Sequence, residues 1–146
     1  MRAARRAGKG FETVEFTASA LLDLDYHSGA GGDVATVEGT TLERIGMPRE
    51  IALRHASTHF LHIFAGDGYA GGYYSYLWSE VLDADGFGAF TEAGDPFDAA
   101  TADRLYKYIY SAGGSRDYSE AYRLFRGRDP QINGLLEQRG FATAAE

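Results

Sequence analysis

His62, Tyr69, Tyr73 and Tyr76 are the residues of this chain whose types and spacing first suggest chemistry. A phenol is a hydrogen-bond donor that stays neutral at pH 7. Tyr69, Tyr73, Tyr76 and Glu80 follow one another at intervals of four, three and four, which predicts one face of a helix. Phenols on one face aim their hydroxyls at one spot, where they can stabilise an oxyanion developing on a carbonyl oxygen. A histidine beside them can donate to the same spot or to a peptide carbonyl. Gly66, Gly68, Gly71 and Gly72 would let a backbone or a ligand come close. The plainer alternative is an aromatic core helix with its hydroxyls at the edge.

His55, His59 and His62 form a second constellation. On a helix they would share a face, and neutral imidazoles there can bind zinc. The zincin pattern His-Glu-x-x-His is not met, because Ala56 follows His55. Three histidines with separate hydrogen bonds are the ordinary reading, so no metal ligand is expected within this chain. Other features read blandly. Gly113-Gly114-Ser115 lacks the lysine of a phosphate loop and reads as a turn between helices. Arg126 and Arg128 read as helix-end or surface groups. Glu12, Glu15, Asp23 and Asp25 read as a solvated face.

The elements that must position these residues are helices. Residues 11–26 carry Phe11, Val14, Ala18, Leu21, Leu22 and Asp25 at helical spacing, with Asp25 the break in an apolar face. Ser28 to Gly32 is a glycine-rich break. A helix is expected from Val34 to Ile45, stopped by Gly46 and Pro48 although Gly39 weakens it. Residues 49–68 are irregular. The helix from Tyr69 should end near Gly86 or reach Phe90. Asp95-Pro96 and Asp129-Pro130 resemble helix starts; Gly113-Gly114 and Gly140 resemble stops. Asp117 and Glu120 have capping-box spacing, closed by Gly127. No stretch alternates long enough for a strand, so the expected class is all-α.

Composition bounds the partners. The chain has 146 residues, a length suited to one domain, and a net charge of −7. All 21 acidic residues follow residue 9, whereas Arg2, Arg5, Arg6 and Lys9 precede them, so the body is no nucleic-acid surface. No apolar run approaches the roughly 20 residues of a membrane span. No cysteine is present, which excludes a disulfide scaffold, a thiolate metal site and a cysteine nucleophile. A cytoplasmic placement is the expectation.

From His62 to Val81 the sequence resembles the C-terminal signature of thimet oligopeptidase-like zinc metallopeptidases, with the bacterial peptidyl-dipeptidase branch nearest. Phe11 to Asp23, Gly113-Gly114-Ser115, Phe125 to Pro130, Leu135-Leu136 and Gly140 agree in the same order. The resemblance implies a helical clamshell that hydrolyses short peptides with zinc. It implies that His62 and Tyr69 contact the substrate backbone, and that Tyr76, with Tyr73, stabilises the oxyanion. The family's His-Glu-x-x-His is absent, and no matching context for its downstream zinc glutamate is read here. The zinc half therefore belongs upstream, and the whole chain, residues 1–146, is expected to be one C-terminal segment of the catalytic domain. Alone it is expected to lack activity, to hold no zinc and to self-associate through surface that the missing N-terminal part covers. The alternatives are a non-catalytic peptide-binding or regulatory protein derived from that fold, and a different metalloenzyme built on the three histidines.

Overall fold

A computed structural model describes residues 6–29 and 32–141. Arg2, Arg5 and residues 30 and 31 of the glycine-rich break lie outside them. The described residues are helical and contain no strand, in agreement with an all-α class. The chain divides into two compact units, Met1–Trp78 and Ser79–Glu146.

In the first unit, α1 spans Lys9–His27 and α2 spans Val34–Arg44. Asp33 caps α2, its side chain accepting from the Thr36 N–H at 3.1 Å. Gly46, with φ +66°, follows where the stop was expected. The irregular stretch resolves into short turns: a 3-10 turn at Ser57–His59, the single-turn helix α3 at Leu61–Phe64, and a 3-10 turn at Asp67–Tyr69. Ala20, Leu22, Val37, Phe60, Ile63 and Tyr73 form the core, flanked by Phe16, Tyr26 and Leu53.

The expected apolar face of α1 is buried at Ala18 and Leu22 but not at its N-terminal end. Phe11 and Val14 are half exposed, while Ala18, Ser19, Ala20, Leu22 and Asp23 are buried. Asp25 meets the Arg44 guanidinium and accepts from the Thr41 hydroxyl, tying α1 to α2. Asp23 is not solvated at all; it is fully buried.

The helix expected from Tyr69 starts later. Helix α4 runs Ser75–Ala93, so Tyr69 and Tyr73 precede it. Gly71 has φ +70°, a left-handed conformation that interrupts any helix. The amides of Gly71 and Tyr73 bond to a side chain instead of preceding carbonyls.

In the second unit, the later part of α4 is followed by α5 (Ala99–Leu105), a π-helical turn (Tyr106–Tyr110), α6 (Tyr118–Arg126) and α7 (Asn133–Arg139). Both Asp-Pro pairs lie ahead of their helices and outside them. Asp95 accepts from the Phe97 N–H, and Asp98 is the residue that caps α5, accepting from the Thr101 N–H at 2.7 Å. Asp117 caps α6 as expected, accepting from Ser119 and Glu120, and Gly127 and Gly140 close α6 and α7. Arg126 is not a surface group. Only 3% of its side chain is exposed, and it meets Glu92 at 2.8 and 2.9 Å and Asp85 at 3.4 Å. Arg128 joins through Asp85 at 2.6 Å, and the Tyr122 hydroxyl donates to the same carboxylate at 2.6 Å. Gly134 lets α7 approach α4: a Cβ there would sit 3.1 Å from the Ala84 carbonyl carbon. Among the described residues no helix is long and apolar enough to cross a membrane.

Candidate functional site

Three elements of the first unit converge on one exposed polar group. Single-turn α3 carries His62, the 3-10 turn after it carries Tyr69, and the first turn of α4 carries Tyr76. The Tyr76 hydroxyl lies 2.9 Å from the Tyr69 hydroxyl and 3.1 Å from His62 Nε2. The two phenol rings stack at 5.6 Å and 6°. The His62 ring stands edge-on to Tyr69, Tyr73 and Tyr76 at 4.4, 5.3 and 5.6 Å. All three hydrogen-bonding side chains are exposed. The imidazole and the two hydroxyls form a linear chain. If Nε2 carries the proton, His62 donates to Tyr76, Tyr76 donates to Tyr69, and the Tyr69 proton is left over for a ligand.

Tyr73 stands apart. Its ring is buried, stacked on Phe16 at 5.0 Å and edge-on to Phe60 at 5.0 Å. Its hydroxyl points at His55 Nε2, 3.5 Å away, a distance at which a hydrogen bond is weak. The sequence thus brought three phenols to one place, but only two hydroxyls share a bond.

The surroundings favour the protonated form of two phenols, Tyr76 and Tyr73. Its hydrogen bond with Tyr69, then partial desolvation, hold the Tyr76 phenol above its ordinary range. Burial does the same for Tyr73. Burial and then the Arg54 charge push His55 below the ordinary imidazole value, which favours the neutral ring. Arg54 pairs at 3.6 Å with Glu15, and both charges act on Tyr73. At neutral pH the arrangement can therefore present phenolic donors to a carbonyl oxygen.

The three histidines do not come together as a metal site. His55 is stacked on Phe60 at 4.7 Å, His59 is exposed at the end of its 3-10 turn, and His62 belongs to the tyrosines. Among the described residues, no three His, Asp or Glu side chains gather closely enough to hold a metal ion.

One residue of the site's framework escaped the sequence. Asp23 accepts hydrogen bonds from the glycine-rich turn between Tyr69 and Tyr76. The pointer was its position four residues before His27, a helical spacing at which the two side chains meet at 2.8 Å.

Comparison with known proteins gives the family. The family model for peptidase family M3 matches residues 1–141. The chain belongs to peptidase family M3. It corresponds to the C-terminal part of that family. The M3 chain is 39% identical over 146 residues to the dipeptidyl carboxypeptidase of Escherichia coli strain K12, covering 96% of this chain and 21% of that protein. It is 49% identical over 117 residues to oligopeptidase A of Haemophilus influenzae, covering 80% of this chain and 15% of that one. Saccharolysin of Saccharomyces cerevisiae is 33% identical over 81 residues, covering 56% of this chain and 11% of its own length. The chain spans about a fifth of the dipeptidyl carboxypeptidase it matches. M3 peptidases are generally zinc-dependent, and the described residues do not supply a complete zinc site.

Proposed function

We propose that this chain supplies the substrate-contacting polar face of a peptidyl-dipeptidase or oligopeptidase of the M3 family. The observation that carries this is the chain of hydrogen bonds from His62 through Tyr76 to Tyr69 on an exposed surface. His62 and Tyr69 contact the backbone of a short peptide. Tyr76 turns its proton from Tyr69 to the scissile carbonyl, whose oxygen becomes the tetrahedral oxyanion. Tyr73, whose own partner is distant, is the second phenol for that oxygen. Donors aimed in advance at a developing charge lose nothing to reorganisation, the usual source of oxyanion stabilisation.

The zinc centre and the remaining channel come with the N-terminal part of a longer M3 polypeptide. This chain binds short peptides without cutting them. Titration with a library of short peptides, followed by Trp78 fluorescence, tests the reading. Trp78 lies two residues after Tyr76 and is 44% exposed. A saturable change is expected, and a flat signal with every peptide would remove the proposal. A non-catalytic peptide-binding or regulatory protein would give the same titration. The two separate when the missing M3 part is added, because only the first regains hydrolysis.

A further inference from the structure

Asp23 touches none of His62, Tyr69 and Tyr76 through a hydrogen bond, yet it holds the turn between the two phenols. It is fully buried on α1, and a buried carboxylate is costly unless its oxygens are paired. Oδ1 accepts from the Gly71 N–H at 3.0 Å and lies 2.8 Å from His27 Nδ1, and Oδ2 accepts from the Tyr73 N–H at 2.8 Å. Three amides of the turn bond internally: Ala70 back to Asp67, Gly72 to Tyr69 and Ser75 to Gly72. The amides of Gly71 and Tyr73 both go to one side chain. Gly71 is left-handed, and a Cβ there would lie 3.6 Å from the Cβ of His27, so the turn lies directly against α1.

The same helix face makes a second contact. Phe16 stands seven residues before Asp23, close to two helical turns, and so lies above it on one face. Phe16 stacks on Tyr73 at 5.0 Å and meets Tyr76 edge-on at 6.3 Å. Helix α1 thus grips the turn by its backbone through Asp23 and by its rings through Phe16.

We propose that Asp23 is the positioning residue of the polar site: by fixing the amides of Gly71 and Tyr73 it sets where the Tyr69 and Tyr76 hydroxyls meet. His27 holds the carboxylate in the rotamer this requires. The role rests on reading the phenols as peptide-contacting groups, but the geometry it concerns exists without peptide.

The test is Asp23→Asn in the full chain. The amide has the same shape but turns an NH2 group toward a donor, so one of the three partners loses its acceptor. The expected result is loss of the ring-to-ring NOE between Tyr69 and Tyr76, with the Tyr76 phenol titrating closer to its ordinary value. Resonances of α2 stay in place. Peptide binding weakens about three- to tenfold, the range of one lost hydrogen bond. An unchanged NOE and an unchanged Tyr76 titration in both Asp23→Asn and Asp23→Ala overturn the proposal. If neither variant folds, hydrogen exchange in the unmodified chain decides. Slow exchange at Gly71 and Tyr73 supports the tether, and exchange at the rate of an open turn overturns it. A chain that binds no peptide but still loses the NOE on Asp23→Asn removes the functional reading and leaves this one standing.

Discussion

The Tyr76 hydroxyl has two neighbours and one proton, which makes it the residue where the site's chemistry is most sensitive. Tyr76→Phe removes the middle of the chain from His62 to Tyr69 and leaves the ring stack intact. Because the side chain is exposed, melting should move little, within the roughly 0.5 kcal/mol typical of surface changes. Peptide binding measured by Trp78 fluorescence should weaken about three- to tenfold. Equal affinity in the variant would take Tyr76 out of the site. Tyr73 behaves differently because its ring is 6% exposed and belongs to the core. Tyr73→Ala should cost about 3–5 kcal/mol in chemical denaturation. Tyr73→Phe should cost almost nothing in stability, since the hydroxyl is 3.5 Å from His55. A drop of several kilocalories with Tyr73→Phe would mean that this hydroxyl has a stronger partner.

At the scale of elements, one buried charge cluster joins α4 to α6. Burial alone would raise the Asp85 pKa, but hydrogen bonds from Arg128, Tyr122 and Arg126 outweigh it and hold the carboxyl below its ordinary value. Its folded pKa therefore lies below the unfolded value of about 3.9. The stability it adds is complete above that value and is lost as pH falls through the folded pKa. Acid melting of the second unit, followed through Tyr122 or Phe125 resonances, should steepen below about pH 4. Asp85→Asn should flatten that slope, and an unchanged slope would assign it to other carboxylates. Arg126→Ala leaves Asp85 buried with less of its charge paired, and loss of one partner of a buried pair costs about 3–5 kcal/mol. The helices themselves were legible in the sequence, because Asp117, Gly46, Gly127 and Gly140 act locally through caps and left-handed turns. The convergence of His62, Tyr69 and Tyr76 was legible too, although the helix proposed to explain it starts only at Ser75. Asp23, Asp85 and Arg126 were not legible. Apart from His27 beside Asp23, their partners lie about 35 to 50 residues away in sequence, and a spacing of four does not by itself separate a buried paired charge from a solvated one.

For the molecule as a whole, the deciding quantity is how much apolar surface the chain leaves open. Leu61, Phe97, Tyr110 and Tyr118 are 72, 87, 72 and 75% exposed. Within the second unit, Leu82, Phe87, Phe90, Ile109, Tyr118 and Phe125 are among the residues lining an open, mainly apolar cavity of about 660 Å³. Exposed apolar patches of this kind mark interaction surfaces, and the dipeptidyl carboxypeptidase is about five times longer than the stretch it shares with this chain. We therefore expect the chain alone to self-associate. Sedimentation velocity should show a weight-average mass that rises with concentration, and a monomer at every concentration would remove that expectation. The same reasoning separates binding from turnover. The proposed function puts the zinc centre in the rest of an M3 polypeptide, so added zinc is expected to leave the chain unable to cleave any short peptide that it binds. Hydrolysis by protein freed of contaminating protease, abolished by Tyr76→Phe and restored by zinc after chelation, would place a complete catalytic centre within these 146 residues.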